Sequence, residues 1–589
     1  MIQGLVLVNK LFIILSILLI SSTAYGVTVS TKGDLETALA AASPGDTIYI
    51  TDGTYDDFCS QASPLNITVS GTSGNQITIA PETSGGVTFT GNFNLNIGAT
   101  GQETQGDYIS IKNFKFSNID TAGLSLKVIY VYGDNAVIEN SLFENCAGPS
   151  GIGSIIRVFG ESVDSEINRC SFTNWSYAEA ITFLGANDNN PHIHHCYFTH
   201  PIVGNHDSAI YVGNDYINYD VNLICEYNLF YQCLGDAETI SNKSDENTYR
   251  YNVFRNGESL TLRRGDDCII DSNYFYSNPN NAIRVWGQNH DIINNYFVSP
   301  GITAILARVG TGDYAQIVNL DIINNTIVDA DPYYAIWIGY GTGTAPNGIN
   351  IKNNLIDQSV GTIIKYESGT NITWTTNLLY NNGTATYFSG IADPGAPGVT
   401  KAVTNLVQGT YIKRLSASST NAIELGTVDA LISDDIDAGT RDVSTPDIGC
   451  DEYGADGGLF PIFDNYVGND WAAPTFPSSG PSGTIACGPV LVTVNTSETA
   501  NVRIGTTDEG SYAAMPADSM DSTDATSHTL TLSPACDATY TYYAYAIDPY
   551  GNPAGPETIT FTLDTGDPPD PAPSNTGSNS GGGGGGGSY

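Results

Sequence analysis

Basic side chains are concentrated in one short part of the chain. Six of the 21 lysines and arginines lie between residues 243 and 284, namely Lys243, Arg250, Arg255, Arg263, Arg264 and Arg284. In a chain of net charge −41, this is the place where a carboxylate-rich ligand could bind. The alternative is that they form solvated ion pairs with nearby acids, which are Asp236, Glu238, Asp245, Glu246 and Glu258.

Two acids just before this stretch could hold a cation. Asp236 and Glu238 are two positions apart on a predicted strand, so both side chains would point to the same face of a sheet. Two carboxylates in that arrangement repel each other unless a cation lies between them. The alternative is that each of them pairs with an arginine.

Composition excludes some partners. With 62 acidic and 21 basic residues, the chain is a poor match for nucleic acid or an anionic membrane surface. A polyanionic ligand would also be repelled at long range, except where a cleft is locally positive. Ten cysteines are too few for a disulfide-built scaffold, and none of them has the spacing of zinc ligands.

A repeat supplies the elements that must position these side chains. An apolar pair, one or two polar residues (often Asn) and a further apolar residue recur at intervals of about 20 to 30 residues, the period of a solenoid coil. The last apolar positions are Phe116, Phe143, Phe172, Phe198, Phe230, Phe254, Phe275, Phe297, Ile327, Ile356 and Leu379. Apolar residues alternate within each unit, which indicates strands. Asn between the strands suits tight turns and allows side-chain amides to hydrogen-bond from coil to coil.

The repeat and the composition predict an all-β protein of several parts. We expect a right-handed parallel β-helix over residues 27–455, opened by a short helix with its N-cap at Thr31. A linker over 456–478 and a small immunoglobulin-like β-sandwich over 479–565 follow, with Cys487 and Cys536 as a candidate disulfide. A Pro- and Gly-rich tail over 566–589 has too few apolar residues to fold.

The first 26 residues have the pattern of a secretory signal. Lys10 precedes an apolar run from Leu11 to Ile20, and small residues follow up to Gly26. The run is shorter than the roughly 20 residues that span a bilayer. We expect cleavage near Gly26, no membrane span, and an extracellular or periplasmic protein.

Several motifs in order resemble polysaccharide lyase family 6, which contains alginate lyases and a dermatan-sulfate-degrading chondroitinase. They are Glu238-Thr239-Ile240-Ser241-Asn242-Lys243-Ser244, then Asn247 to Arg255, Leu260-Thr261-Leu262-Arg263 and Ala282-Ile283-Arg284-Val285. The resemblance covers roughly residues 28–455. It implies a parallel β-helix enzyme that cleaves an acidic polysaccharide by β-elimination, with alginate favoured.

The resemblance also implies roles for individual residues. Lys243 matches the general base, and Arg263 matches the arginine that assists departure of the leaving oxygen. Asn205, Asp236 and Glu238 match the residues that hold calcium, a set of hard oxygen ligands suited to that ion. A cation beside the uronate carboxylate makes the C5 proton acidic enough to remove.

This sequence departs from the family pattern in three places. Asp236 replaces the usual Glu, Arg264 replaces a common His, and Ser208-Ala209-Ile210-Tyr211 replaces a Glu-Thr-Ile-Arg type run. Arg264 could supply the charge lost with that Arg. We therefore add Arg264, Arg284, His206, Tyr211 and Trp286 as candidate substrate-binding residues; an aromatic or His in such a repeat can equally be a packing residue.

Other functions stay open. A dermatan sulfate or chondroitin lyase would use the same groups on a different polymer. A uronate C5-epimerase would share the proton abstraction but needs an acid on the opposite face, and no such residue can be identified from the sequence. A non-catalytic glycan-binding β-helix is the third alternative, and the presence of both Lys243 and Arg263 in matching motifs argues against it.

Overall fold

The computed structural model describes residues 26–101, 105–120, 126–148, 153–160, 162–176, 179–185, 189–202, 208–213, 219–329, 333–455, 461, 467–515, 520, 525–548 and 552–565. Residues 1–25 of the predicted signal segment and the predicted Pro- and Gly-rich tail, 566–589, lie outside these residues. The chain divides between Asn469 and Asp470 into two compact units, within the stretch predicted to be a linker.

The first unit is a right-handed parallel β-helix, as predicted. Each coil contributes one strand to each of three parallel sheets, here called the first, second and third sheets in the order in which a coil meets them. The described strands of the first sheet are Gly26–Val29, Thr47–Ile50, Ile77–Pro81, Ile109–Lys112, Val137–Glu139, Glu166–Asn168, His192–His194, Ile224–Glu226, Thr248–Arg250, Ile269–Asp271, Gln288–Ile293, Val318–Ile323, Asn347–Lys352 and Thr370–Thr375.

The second and third sheets continue the same coils. The described strands of the second sheet are Gly53–Asp56, Val87–Gly91, Lys115–Ile119, Leu142–Glu144, Ser171–Thr173, Tyr197–Thr199, Leu229–Tyr231, Val253–Arg255, Tyr274–Tyr276, Tyr296–Val298, Thr326–Val328, Leu355–Gln358, Asn377–Asn381 and Val399–Lys401. Those of the third sheet are Leu65–Ile67, Leu95–Ile97, Lys127–Val131, Ser154–Phe159, Glu179–Leu184, Ile210–Gly213, Glu238–Lys243, Ser259–Arg264, Asn281–Val285, Thr303–Arg308, Tyr334–Tyr340, Thr362–Tyr366 and Thr386–Ser389.

The predicted column of repeat positions is confirmed at every step. The positions from Phe116 to Leu379 are paired one to the next across adjacent strands of the second sheet. The eight phenylalanine rings stack with centroids 4.7 to 5.0 Å apart. This spacing is the distance between neighbouring strands, so the rings fill the core without offset.

A ladder of buried asparagines turns the corner between the first and second sheets. It runs through Asn228, Asn252, Asn273, Asn295, Asn325, Asn354 and Asn377. From Asn252 onward, each side-chain oxygen accepts hydrogen bonds from the backbone and the side chain of the Asn in the coil before it. The residue before each Asn from 228 to 377 has positive φ, as at Tyr227 and Ser272. The ladder therefore satisfies the polar groups of a turn that is closed to water. Cys170 and Cys196 occupy the equivalent corner of earlier coils as buried free thiols.

The N-terminal end of the solenoid and the outer face of its second sheet are covered. The helix Lys32–Ala41 closes the N-terminal end; Thr31 caps it by accepting from the Asp34 amide, and Leu35 and Leu39 are buried against the first coils. Coils end with the strand Val399–Lys401, before the predicted boundary at 455. Residues 402–455, with the two-stranded pair Val407–Gln408 and Lys413–Arg414, pack on the outer face of the second sheet, where apolar side chains need cover.

The second unit is a small β-sandwich. Its described strands are Ser478–Gly480, Gly483–Ala486, Val490–Gly505, Ala525–Leu532, Ala538–Ile547 and Pro553–Asp564. The long strand Val490–Gly505 pairs with Ala525–Leu532 through its first part and with Ala538–Ile547 through its last, so it belongs to both layers. The predicted disulfide joins Cys487 to Cys536, with Cα atoms 5.5 Å apart.

Candidate active site

Lys243 ends a buried strand of the third sheet. The strand Glu238–Lys243 is buried along its whole length, and only 5% of Lys243 is exposed. Its Nζ donates to the Tyr211 hydroxyl at 2.9 Å and lies 4.4 Å from the centre of that ring. Gly213 pairs with Lys243 in the preceding coil, and a Cβ there would stand 2.5 Å from the Lys243 carbonyl oxygen. The amine is thus held at the surface of the sheet by its neighbour Tyr211.

A β-bulge places two arginines beside this lysine. In the next strand, Ser259–Arg264, Leu262 pairs with Asn242 but Arg264 pairs with Lys243, so Arg263 is the extra residue. A bulge re-aims side chains locally and leaves the extra residue without a cross-strand partner. Both guanidiniums therefore lie next to Lys243 on the outer face of the sheet.

A turn two coils later holds the two arginines. Arg263 donates from Nε and Nη2 to the Tyr314 hydroxyl at 3.0 and 2.8 Å. Arg264 Nη2 lies 3.5 Å from a carboxylate oxygen of Asp313, which is itself highly exposed. The sequence analysis missed Tyr314 because the contact spans 51 residues and no local pattern marks it.

Glu238 is held between two arginines. Its Oε1 accepts from Arg284 Nη2 at 2.9 Å, and its Oε2 lies 3.5 Å from Arg263 Nη1. Arg284 also donates to Ser259, Thr261 and the Ala237 carbonyl. Burial lowers the pKa of Arg284, and the Glu238 carboxylate acts in the opposite direction. The predicted alternative, that an acid here pairs with arginine, thus holds for Glu238.

The predicted metal ligands are only partly described. Asn205 and the substrate-binding candidate His206 lie outside the described residues. We expected Asp236 and Glu238 on one strand, but the strand begins at Glu238. Asp236 lies in the preceding bend, where its Oδ1 accepts a hydrogen bond from the Ala237 amide at 2.6 Å. Glu238 Oε2 is buried and accepts no hydrogen bond from the described residues. A buried carboxylate oxygen that accepts no hydrogen bond suits a hard cation, and the Arg263 guanidinium 3.5 Å away already supplies one positive charge beside it.

Two other acidic groups in the described residues have metal-like spacing. They are Asp435, Asp437 and Asp451 in the first unit, and Asp470, Glu498 and Asp548 in the second. In the first group, Arg414 Nη1 lies 2.5 Å from Asp437 and 2.6 Å from Asp451, so a guanidinium already supplies positive charge. In the second group, burial and the neighbouring Asp470 raise the pKa of Glu498 to about 7. Neither group includes the predicted calcium ligands.

The basic cluster of the sequence divides among three faces. Lys243, Arg263, Arg264 and Arg284 meet on the third sheet. Arg250 lies on the first sheet, where it pairs with Glu226 at 2.6 Å, and Arg255 lies on the second sheet over the Tyr231 ring. Arg250 and Arg255 therefore do not share the face of Lys243, because one coil contributes to three sheets.

Trp286 lies beneath the surface rather than lining it. It is 4% exposed, its Nε1 donates to the Val309 carbonyl at 3.0 Å, and its ring stacks on Tyr314 with centroids 4.7 Å apart. The guanidinium of Arg308, which the sequence analysis did not select, lies 4.9 Å above the Trp286 ring. Trp286 therefore supports Tyr314 and Arg308, which are the more accessible residues.

The arrangement can carry out proton abstraction beside an anion. Lys243 and Arg264 are cross-strand partners, Arg263 is the extra residue of the bulge between them, and Arg284 and the buried Glu238 carboxylate lie on the same face. Such a group can neutralise a ligand carboxylate while the amine removes a proton from the adjacent carbon.

A protein-family model matches most of the chain. The family model described as chondroitinase B matches residues 29–411. No curated protein matches the chain significantly.

Solved structures share the fold. The alginate lyase AlyGC of polysaccharide lyase family 6 is 22% identical with a TM-score of 0.60; the match covers 79% of this chain and 61% of that chain. This chain thus spans about three fifths of AlyGC. A mannuronic acid specific family 6 lyase from human gut microbiota is 22% identical with a TM-score of 0.54, covering 64% of this chain and 91% of that one.

Proposed function

Because the chain belongs to the chondroitinase B family, polysaccharide lyase family 6, we propose that it cleaves an acidic, uronate-containing polysaccharide by β-elimination. The observation that carries this proposal is the position of Lys243 beside Arg263 and Arg264 on one face of the third sheet. An uncharged amine and guanidiniums on the same side of a uronate ring are the groups that this reaction requires.

The proposed reaction uses these residues in turn. Arg264 and Arg284 neutralise the carboxylate of the uronate at the cleavage point, which makes its C5 proton acidic. Lys243 takes that proton, and Tyr211 keeps the amine in place by accepting one of its N–H groups. The electron pair of the C5–H bond forms the C4–C5 double bond as the C4–O4 bond breaks. Arg263 stabilises the charge that develops on O4.

Calcium fits the same site as a second source of positive charge. We propose that Asn205, Asp236 and Glu238 hold it, with Glu238 Oε2, which accepts no hydrogen bond from the described residues, as a ligand. When bound, the ion would further neutralise the uronate carboxylate.

Alginate is the first candidate substrate. AlyGC is an alginate lyase, and a further structure with the same fold, with a TM-score of 0.51, is an alginate lyase in complex with a trisaccharide. Dermatan sulfate is the second candidate because of the chondroitinase after which the family is described. We also propose export, from the signal pattern that ends near Gly26. In the part of the chain that the structure describes, no helix has the length and apolar character to cross a membrane.

The test is the ultraviolet absorbance of the unsaturated sugar that β-elimination leaves. The mature protein is incubated with alginate and, separately, with dermatan sulfate, beside a Lys243→Ala variant. A rise that the variant lacks supports the proposal and identifies the polymer. A folded wild-type protein that produces no rise on either polymer contradicts it, and conversion of one uronate epimer to the other without cleavage would indicate an epimerase instead.

A further inference from the structure

A continuous line of aromatic rings and one guanidinium extends from the active site along the third sheet. We call it the aromatic–arginine strip, and it consists of Tyr314, Trp286, Arg308, Tyr340, Trp337 and Tyr334. Tyr314 stacks on Trp286, and Arg308 lies 4.9 Å from the Trp286 ring and 5.0 Å from the Tyr340 ring. Tyr340 and Trp337 have centroids 4.3 Å apart, and Tyr334 meets Trp337 edge-on at 4.6 Å.

The strip lies on the outward face in register with the active site. A column of cross-strand partners begins at Ser241, two positions before Lys243. Each residue of the column pairs with the next on the adjacent strand, in the order Ser241, Thr261, Arg284, Leu306 and Trp337. Four strand spacings correspond to roughly 19 Å along the solenoid axis. One pyranose unit of an extended polysaccharide advances by about one strand spacing, so Trp337 lies about four sugar units from Lys243.

The charge of the strip favours an acidic ligand. Arg308 is half-buried between two ring faces, forms no ion pair among the described residues, and its Nε has no acceptor there. Lys365 is the cross-strand neighbour of Trp337 in the next coil and adds a second positive charge. In a chain of net charge −41, a locally positive surface of this kind can attract an acidic ligand.

Aromatic rings specify which kind of acidic ligand fits. Tyr340 is 39% exposed, and Tyr334 and Trp337 are half-buried, so ring surface remains accessible. Aromatic faces stack on the C–H faces of pyranose rings, and a guanidinium pairs with carboxylates, ideally in a bidentate manner. A polymer of uronate units offers both groups at every unit.

We propose that the aromatic–arginine strip binds the acidic polysaccharide from the active site, where Tyr314 holds Arg263, to its far end at Trp337, about four sugar units from the bond that is cleaved. The proposal rests on the proposed function, because the occupant of the strip is the same chain that reaches Lys243. The strip gives the protein higher affinity for long chains than for short ones, and it holds the polymer parallel to the solenoid axis.

The test measures binding without cleavage, in a Lys243→Ala background. Affinity for alginate polymer and for a uronate trimer is compared in the parent and in variants carrying Trp337→Ala, Tyr340→Ala or Arg308→Gln. Each should reduce the ratio of polymer to trimer affinity by about five- to tenfold, since one stacking or charge contact is lost. Tyr340→Ala is the variant least expected to disturb the fold, because the Tyr340 side chain is exposed. Thermal unfolding of each variant checks that it is folded.

Matched controls come from other faces of the solenoid. Arg255→Gln removes an arginine that also lies over an aromatic ring, on the second sheet, and Tyr49→Ala removes an exposed tyrosine on the first sheet. Both should leave the affinity ratio at the parent value. The proposal is overturned if the strip variants, shown to be folded, keep the parent ratio, or if the controls lower it equally.

Failure of this proposal is distinguishable from failure of the proposed function. If the wild-type protein releases unsaturated product and the ratio does not change, only the strip is wrong. If no product forms, the lyase proposal fails, whereas the binding ratio still decides whether the strip holds a uronate polymer.

Discussion

Lys243 and Arg264 are cross-strand partners because Arg263 is inserted between them as the extra residue of a bulge. Without the bulge, Lys243 would pair with Arg263, and Arg264 would point to the opposite face. The insertion brings two positive charges next to the amine.

Replacing Lys243 with Ala should abolish most of the activity. Loss of a general base typically lowers the turnover rate by about 10²- to 10⁴-fold. The release of unsaturated product is the measurement, and circular dichroism checks the fold. Lys352→Ala is the matched control, because Lys352 forms an ion pair with Asp429 on the first sheet, and it should keep wild-type activity. Equal activity in wild type and Lys243→Ala would remove Lys243 from the mechanism.

Replacing Glu238 with Gln should lower activity and weaken the response to calcium. Gln keeps the size of the side chain but leaves Arg284 and Arg263 without their negative partner and supplies a poorer ligand. Activity is measured after chelation and after calcium is restored, in both proteins. Glu258→Gln is the control, since Glu258 accepts from Asn280 instead of an arginine. Wild-type activity that is indifferent to the chelator would mean that the arginines alone neutralise the substrate.

Replacing Asn273 with Ala should destabilise the solenoid by about 2–4 kcal/mol. The Asn273 side chain accepts from the Asn252 amide and donates to Asn295 and the Tyr249 carbonyl, all in buried positions. Its removal leaves several buried groups without partners. Urea denaturation followed by far-ultraviolet circular dichroism measures the loss. Asn66→Ala removes an exposed amide pair with Asn96 and should change stability by less than about 0.5 kcal/mol.

Stability should fall as pH rises through the range in which Asp291 titrates. Burial first, and then Asp321 on the adjacent strand, raise the pKa of Asp291 to about 6. An unfolded Asp has a pKa of about 3.9, so the folded state binds the extra proton between these values. The stabilisation of the folded state by this proton is present at about pH 4 and is lost as pH rises through about 6.

The Asp291→Asn variant tests whether stability falls as pH rises through the titration of Asp291. It should be more stable than wild type at neutral pH and about equally stable near pH 4, with a shallower pH dependence between them. Thermal unfolding at a series of pH values measures the difference. A variant that is less stable than wild type at neutral pH would show that the Asp291 carboxylate makes a favourable contact.

The fold could be predicted because it is periodic. One short pattern, repeated at every coil, marks the positions from Phe116 to Leu379, and the structure stacks them in that order. The N-terminal cap at Thr31 and the Cys487–Cys536 disulfide were also predictable from local features. The last coil was not, because the covering segment 402–455 carries no repeat and its contacts are set by the outer face of the second sheet.

The site could be predicted only in part. The motifs identified Lys243, Arg263, Arg264 and Arg284, which do share one face. The bulge was not predictable, because pairing register depends on two strands together. Tyr314 and Arg308 were missed for a related reason: each lies in a later coil, and only the constant rise of the solenoid brings it beside the earlier arginines.

The asparagine ladder and the phenylalanine stack advance by one strand spacing in every coil, whatever the length of the loops between the strands. Distances along the outer face are therefore set by the number of coils. The number of coils from Lys243 to Trp337 would set which unit of a bound polymer is presented for cleavage. Adding or removing one whole coil between them would shift that choice by one sugar unit, whereas a longer loop would leave it unchanged.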